Sequence, residues 1–180
     1  DVCSSDLDDE RPHRTPWITL GLIAINVLVF LWYFTQLSEW ETNRLFMTWG
    51  LVPARLMSGA GWETIVTSMF LHAGWMHLGG NMLFLWIFGD NLEEQMGHFW
   101  FLVFYLACGA AAGLGQALPD PSSPMPMVGA SGAIAGVMGG YLLLFPRAKV
   151  DVLFAVPEWS AAAAPDADQH FAVGVSGTLQ

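Results

Sequence analysis

The chain carries apolar runs too long and too free of charge for the surface of a water-soluble fold. Trp17 to Phe34 is 18 residues without an Asp, Glu, Lys or Arg. At about 1.5 Å per residue a helix of that length spans roughly 27 Å, close to the ~30 Å hydrocarbon core of a bilayer. Three more such runs follow, at Met76–Phe88, Phe99–Leu118 and Met127–Phe145, and a further one begins at Val150–Val156. Charged residues make up only 12 % of the chain, against roughly 25 % in an ordinary soluble domain. The pattern predicts an all-α membrane protein, a helical bundle with four complete spans and the start of a fifth.

The charge balance narrows the function. Six basic residues against sixteen acidic ones give a formal net charge of −10, the opposite of a nucleic-acid binder. Two cysteines do not make a disulfide framework, and Cys108 inside the third run reads as a small packing residue. Asp1–Leu7 is polar, lacks the basic start of a signal peptide and resembles a translated sequencing adapter, so it reads as artefactual. Residues 1–15 then lie outside the domain, 16–156 form the membrane domain, and 157–180 form an aberrant or disordered tail. Arg11 and Arg14 precede the first span, while Arg147 and Lys149 follow the fourth. With four spans both pairs fall on one side, which puts the N-terminus in the cytoplasm. The 35–75 connection and the proline-rich Leu118–Pro126 loop then face outward. Gly89, Asp90 and Asn91 are expected to end the second span, with Glu93 and Glu94 in a solvated cytoplasmic turn.

Polar groups inside a span are costly and point to function. His77, Asn81 and Ser131 are the candidates. His77 lies 13 residues before Asp90, roughly 20 Å from the cytoplasmic edge if helical. Ser131 lies 15 residues before Pro146, roughly 22 Å by the same rule. Both fall roughly 8–10 Å below the outer face of the core. Asn81, four residues after His77, shares its helical face. A serine hydroxyl needs a base to become a nucleophile, and acyl transfer needs donors aimed at the developing oxyanion. An Asn amide, a His ring N–H and the backbone N–H at a helix start are suitable donors. Each residue alone has a plainer explanation. Ser131 borders Gly132, Gly136 and Gly140, a stripe suited to close helix packing. His77 alone reads as an interfacial histidine and Asn81 as interhelical glue. The matched depth of all three favours a joint catalytic role. His72 and His77 are poorly spaced as metal ligands, so no metal and no other cofactor is expected.

At these residues the chain resembles the rhomboid family of intramembrane serine proteases. Phe70–Asn81, with His72, His77 and Asn81, resembles the family's second helix and its HxxxN motif. Gly129-Ala130-Ser131-Gly132 resembles the GxSG of the fourth helix. Order and arrangement agree from about Pro16 to Val156. The resemblance implies a rhomboid-like bundle that cleaves transmembrane segments of membrane-protein substrates. It assigns Ser131 as nucleophile, with His77, Asn81 and the Ser131 N–H as oxyanion donors, and makes the 35–75 connection a half-submerged element. It also implies a multi-pass protein of a bacterial or archaeal cytoplasmic membrane, with the lipid bilayer and transmembrane clients as partners. The family's general base is a histidine on a sixth helix. His170 is the sole histidine after Ser131, and its polar surroundings make it a weak candidate for that base. A frame change near Trp159 would account for the departure. A catalytically inactive rhomboid-like protein that binds transmembrane clients is the alternative, and a small channel or transporter subunit a third reading.

Overall fold

The computed structural model describes residues 15–146. Seven α-helices are present among them: α1 (Trp17–Gln36), α2 (Glu39–Trp49), α3 (Pro53–Met57), α4 (Thr64–Thr67), α5 (Trp75–Met96), α6 (His98–Ala117) and α7 (Ser131–Leu144). A 3-10 turn, Ser68–Phe70, follows α4. Residues up to Tyr141 belong to one compact unit. The start expected to be artefactual, the expected fifth-span start at Val150, the tail and His170 lie outside the described residues.

Helices α1 and α6 are each 20 residues long and apolar enough to cross a bilayer. Each is apolar nearly all round, and most of each helix is not buried against protein. Trp17, Leu28 and Trp32 of α1, with Phe99 and Trp100 of α6, lie exposed. An apolar helix with an apolar outer surface suits lipid rather than water.

Helix α5 is 22 residues long, so the second run does not end at Gly89. The helix passes through Gly89-Asp90-Asn91 and stops at Gly97, whose φ of 77° suits a glycine beyond a helix end. Leu78, Asn81, Met82, Leu85, Phe88, Gly89, Leu92 and Glu93 are its buried positions. Their three- and four-residue spacing makes one continuous stripe. Gly89 is needed because α1 crosses there: an added Cβ would stand 3.0 Å from Thr19 Cγ2.

The solvated turn expected at Glu93 is also overturned. Glu93 is 1 % exposed. Its carboxylate accepts from the Ile18 N–H at 2.9 Å, the Thr19 N–H at 2.8 Å and Thr19 Oγ1 at 2.7 Å. His98 Nδ1 lies 2.5 Å from Oε1, the same oxygen that accepts from the Ile18 N–H. The reason is local. Helix α1 begins after Pro16, which supplies no side-chain cap. Its first amides need an acceptor, and a carboxylate at a helix N-terminus also meets the favourable end of the dipole.

Helix α7 is 14 residues long and starts at Ser131, four residues later than the apolar run. Residues 127–130 lie outside the helix instead, a bridge residue at Met127 followed by a turn at Gly129 and Ala130. Met127 pairs with Leu51 in an antiparallel bridge, through Leu51 N–H to Met127 O at 3.0 Å and Met127 N–H to Leu51 O at 2.8 Å. The glycine stripe of α7 lies on α6. A Cβ on Gly132 would meet Ala112 Cβ at 2.5 Å, one on Gly136 would collide with Cys108, and one on Gly140 would stand 3.2 Å from Phe104 Cζ. Positions 104, 108 and 112 repeat every four residues, as the glycines do, so the glycine face of α7 seats on Phe104, Cys108 and Ala112 of α6 at close range.

Candidate active site

The 37–75 connection folds into short helices that hold the chain before Ser131. Helix α2 opens with a capping box in which Ser38 and Glu41 satisfy each other's backbone amides. The Arg55 guanidinium closes the other end, donating to Met47 O and Gly50 O at 2.8 Å each. Ser123 O accepts from the Ala54 N–H at 3.0 Å, and Ser68 O accepts from the Gly129 N–H at 2.9 Å. With the Leu51–Met127 bridge, these contacts fix the approach to Ser131 at three points. Sequence reading treated the connection only as an interfacial loop, because backbone pairing leaves no residue signature.

Ser131 is the first residue of α7 and is exposed. Its position gives its N–H no partner within the helix. Gly129, two residues earlier, has φ of 126°, a backbone that L side chains avoid. An added Cβ there would stand 2.6 Å from His77 Nε2. The His77 ring therefore packs directly on the turn that presents Ser131. The Ala73 N–H points at His77 Nδ1, 3.4 Å away. That bond assigns the lone pair to Nδ1 and the proton to Nε2, the nitrogen facing Gly129. Asn81 is 7 % exposed, and its amide donates to His77 O at 2.8 Å. One of its two amide hydrogens is thus committed to its own helix, which leaves the second for another acceptor.

His72 is fully buried. Its ring meets the His77 ring edge-to-face, with centroids 5.0 Å apart. The buried Tyr33 hydroxyl of α1 donates to His72 O and accepts from the His72 N–H at 2.9 Å. Burial, then the neighbouring His77, lower the His72 pKa to about 4. Sequence reading considered His72 only as a metal ligand and missed this packing. Among the described residues no three His, Cys, Asp or Glu side chains gather as a metal would require.

The fold and site thus define a helical membrane bundle with a serine at a helix start and a histidine packed on the turn before it. Residues 59–165 match the rhomboid domain family. The chain is 33 % identical over 128 residues to the rhomboid protease GluP of Bacillus subtilis, covering 71 % of this chain and 24 % of that protein. It is 32 % identical over 131 residues to the chloroplastic rhomboid-like protein 11 of Arabidopsis thaliana, covering 72 % and 43 %. It is also 32 % identical over 145 residues to the mitochondrial rhomboid protein 1 of Saccharomyces cerevisiae, covering 78 % and 40 %. The chain belongs to the rhomboid family, a family of membrane-embedded proteins that includes both proteases and inactive members. It spans between about a quarter and under half of these three relatives.

Proposed function

We propose that this chain is the core of an intramembrane serine endopeptidase that cuts transmembrane segments of membrane proteins, with Ser131 as nucleophile. The observation that carries the reading is the contact of His77 Nε2 with the Gly129 turn, which brings a ring N–H to the start of α7 beside Ser131. In the first step Ser131 Oγ bonds to the substrate carbonyl carbon, and its proton passes to a histidine on a later helix, the position the family resemblance assigns. The carbonyl oxygen becomes an oxyanion. It is stabilised by the Ser131 N–H, His77 Nε2–H and the second Asn81 amide hydrogen. The C–N bond then breaks and the leaving amine takes the proton. Water attacks the acyl-serine, forming the new carboxylate and freeing Ser131. Removing one oxyanion donor typically costs about 100- to 1000-fold in kcat.

The membrane is a bacterial or archaeal cytoplasmic membrane in this reading, with the N-terminus inside. The test uses the intact gene product in proteoliposomes with a single-span substrate. Ser131→Ala abolishes cleavage and labelling by a fluorophosphonate probe, while the helical circular dichroism is kept. Cleavage by Ser131→Ala at the parent rate overturns the assignment. A parent that is neither labelled nor active, yet retains single-span clients, is the inactive binding protein.

A further inference from the structure

We infer that His72 and the first turn of α5 hold a buried water molecule that caps this helix and positions the His77 ring. The inference rests on the protease reading only for what His77 does; the water site itself stands on geometry. Both His72 ring nitrogens are enclosed and have no hydrogen-bond partner among the described residues. A neutral imidazole carries one N–H and one lone pair. Each costs about 1–3 kcal/mol if buried bare. The ring cannot turn to solvent, since the residue is fully buried, and Tyr33 pins its backbone on both sides.

The partner is indicated by the helix that starts three residues later. Helix α5 has Gly74 at its N-cap position, with no side-chain cap. The N–H groups of Trp75, Met76 and His77 are its first-turn donors and have no acceptor within the helix. His77 is the third residue of this turn, and its ring is the one His72 meets. The first-turn amides and the imidazole, linked through the His72–His77 ring contact, together provide the two to four polar partners a buried water needs. The water accepts from a first-turn amide and bonds a His72 ring nitrogen. It stands where a serine or aspartate side chain would otherwise cap. A metal ion is a poor fit, because His72 and His77 bring no third ligand. Held this way, the α5 first turn keeps its register and the His77 ring keeps Nε2 toward Gly129. His72 is therefore a positioning residue, acting through His77.

The experiment compares His72→Phe and His72→Gln with the parent. Phe fills the ring's space without a nitrogen; Gln restores polar atoms. Thermal unfolding in detergent and the rate of Ser131 labelling by a fluorophosphonate are both read. His72→Phe is expected to lower the unfolding temperature by several degrees and slow labelling about tenfold, and His72→Gln to recover most of both. A His72→Phe protein as stable as the parent or more so overturns the water site, since a dry ring would gain from losing its bare nitrogens. An experimental map without a water within hydrogen-bond reach of either ring nitrogen overturns it too. If the parent is not labelled at all, the protease reading fails while the unfolding comparison still decides the water site.

Discussion

The His77 ring lies where a side chain on Gly129 would have to stand, with Nε2 only 2.6 Å from the position of an added Cβ. Gly129→Ala therefore meets two obstacles, the collision and a φ of 126°. The ring must move or the turn must open, and either separates the ring N–H from the start of α7. Fluorophosphonate labelling of Ser131 is expected to fall at least tenfold in Gly129→Ala, a loss of about 1.4 kcal/mol of transition-state stabilisation or more. Gly79→Ala is the control. It lies in α5 with open space around it, and alanine there should leave labelling unchanged and raise stability by a few tenths of a kcal/mol or more. Equal labelling of Gly129→Ala and parent would show that the contact does not position the ring.

Glu93 joins three parts of the bundle: the α5 end that carries it, the α1 start and His98 of α6. Glu93→Gln keeps the shape but turns an amide NH2 toward groups that are themselves donors. Hydrogen bonds to a charged group contribute about 1.5–3 kcal/mol, so the loss should be about 2 kcal/mol. Thermal unfolding should shift down by several degrees, whereas Ser131 labelling well below the transition should be little changed. Thr19→Val removes one of the contacts and should cost less. If Glu93→Gln unfolds with the parent, the carboxylate is not what caps α1.

The spans were legible because charge-free length is a strong signal in a chain this poor in charge. The shared helical face of His77 and Asn81 and the glycine beside Ser131 were legible from spacing alone. Other features were hidden by the kind of interaction they use. The Leu51–Met127 bridge is backbone pairing, to which any residue type contributes. Glu93 looked solvated because its partners, the amides of Ile18 and Thr19, lie 75 and 74 residues away in the chain. The true start of α7 was hidden because Met127–Ala130 is as apolar as a helix would be, and only its pairing with the earlier connection and the Gly129 turn keep it out of the helix. The unbroken α5 shows tertiary packing overriding local breakers: Gly89 is there to let α1 approach, not to stop the helix.

His72 makes the fold sensitive to acid. Its pKa is about 4 in the fold and near 6.5 when exposed. The unfolded chain therefore takes up a proton between those values while the native ring does not. A depressed native pKa means stability is fully present above about pH 6.5 and is lost as pH falls toward 4. The neighbouring His77 ring adds to the cost of charging His72 in the fold. The expected result is an unfolding temperature that drops between pH 6.5 and 4. The drop should be smaller in His72→Gln, which carries no titrating ring. An identical pH dependence in the two proteins would place the acid sensitivity elsewhere, for instance at Glu41. Its carboxylate pKa is lowered by hydrogen bonds from the Ser38 backbone and side chain, so its contribution fades only at lower pH.

Gly136 against Cys108 is the tightest of the three glycine contacts between α7 and α6. A methyl group on Gly136 has no room beside the cysteine side chain. Gly136→Ala gains helix propensity, about 1 kcal/mol in an open helix, but must push the two helices apart. Overpacking of this kind costs about 1–3 kcal/mol, so the substitution should destabilise despite the propensity gain. Cys108→Gly alone removes the opposing side chain and should also destabilise, through a lost contact and the helix penalty of glycine. Combined, the two changes restore the fit from the other side: the alanine methyl enters the space the cysteine left. The double variant should be more stable than the sum of the single effects predicts, with a coupling of about 0.5–3 kcal/mol, the range for residues in direct contact. Because α7 begins at Ser131, the same pair should govern the serine's environment. Ser131 labelling should drop in Gly136→Ala and return in the double variant. Strict additivity in both stability and labelling would mean that the helices are spaced by other contacts, with Gly132 against Ala112 the next pair to test.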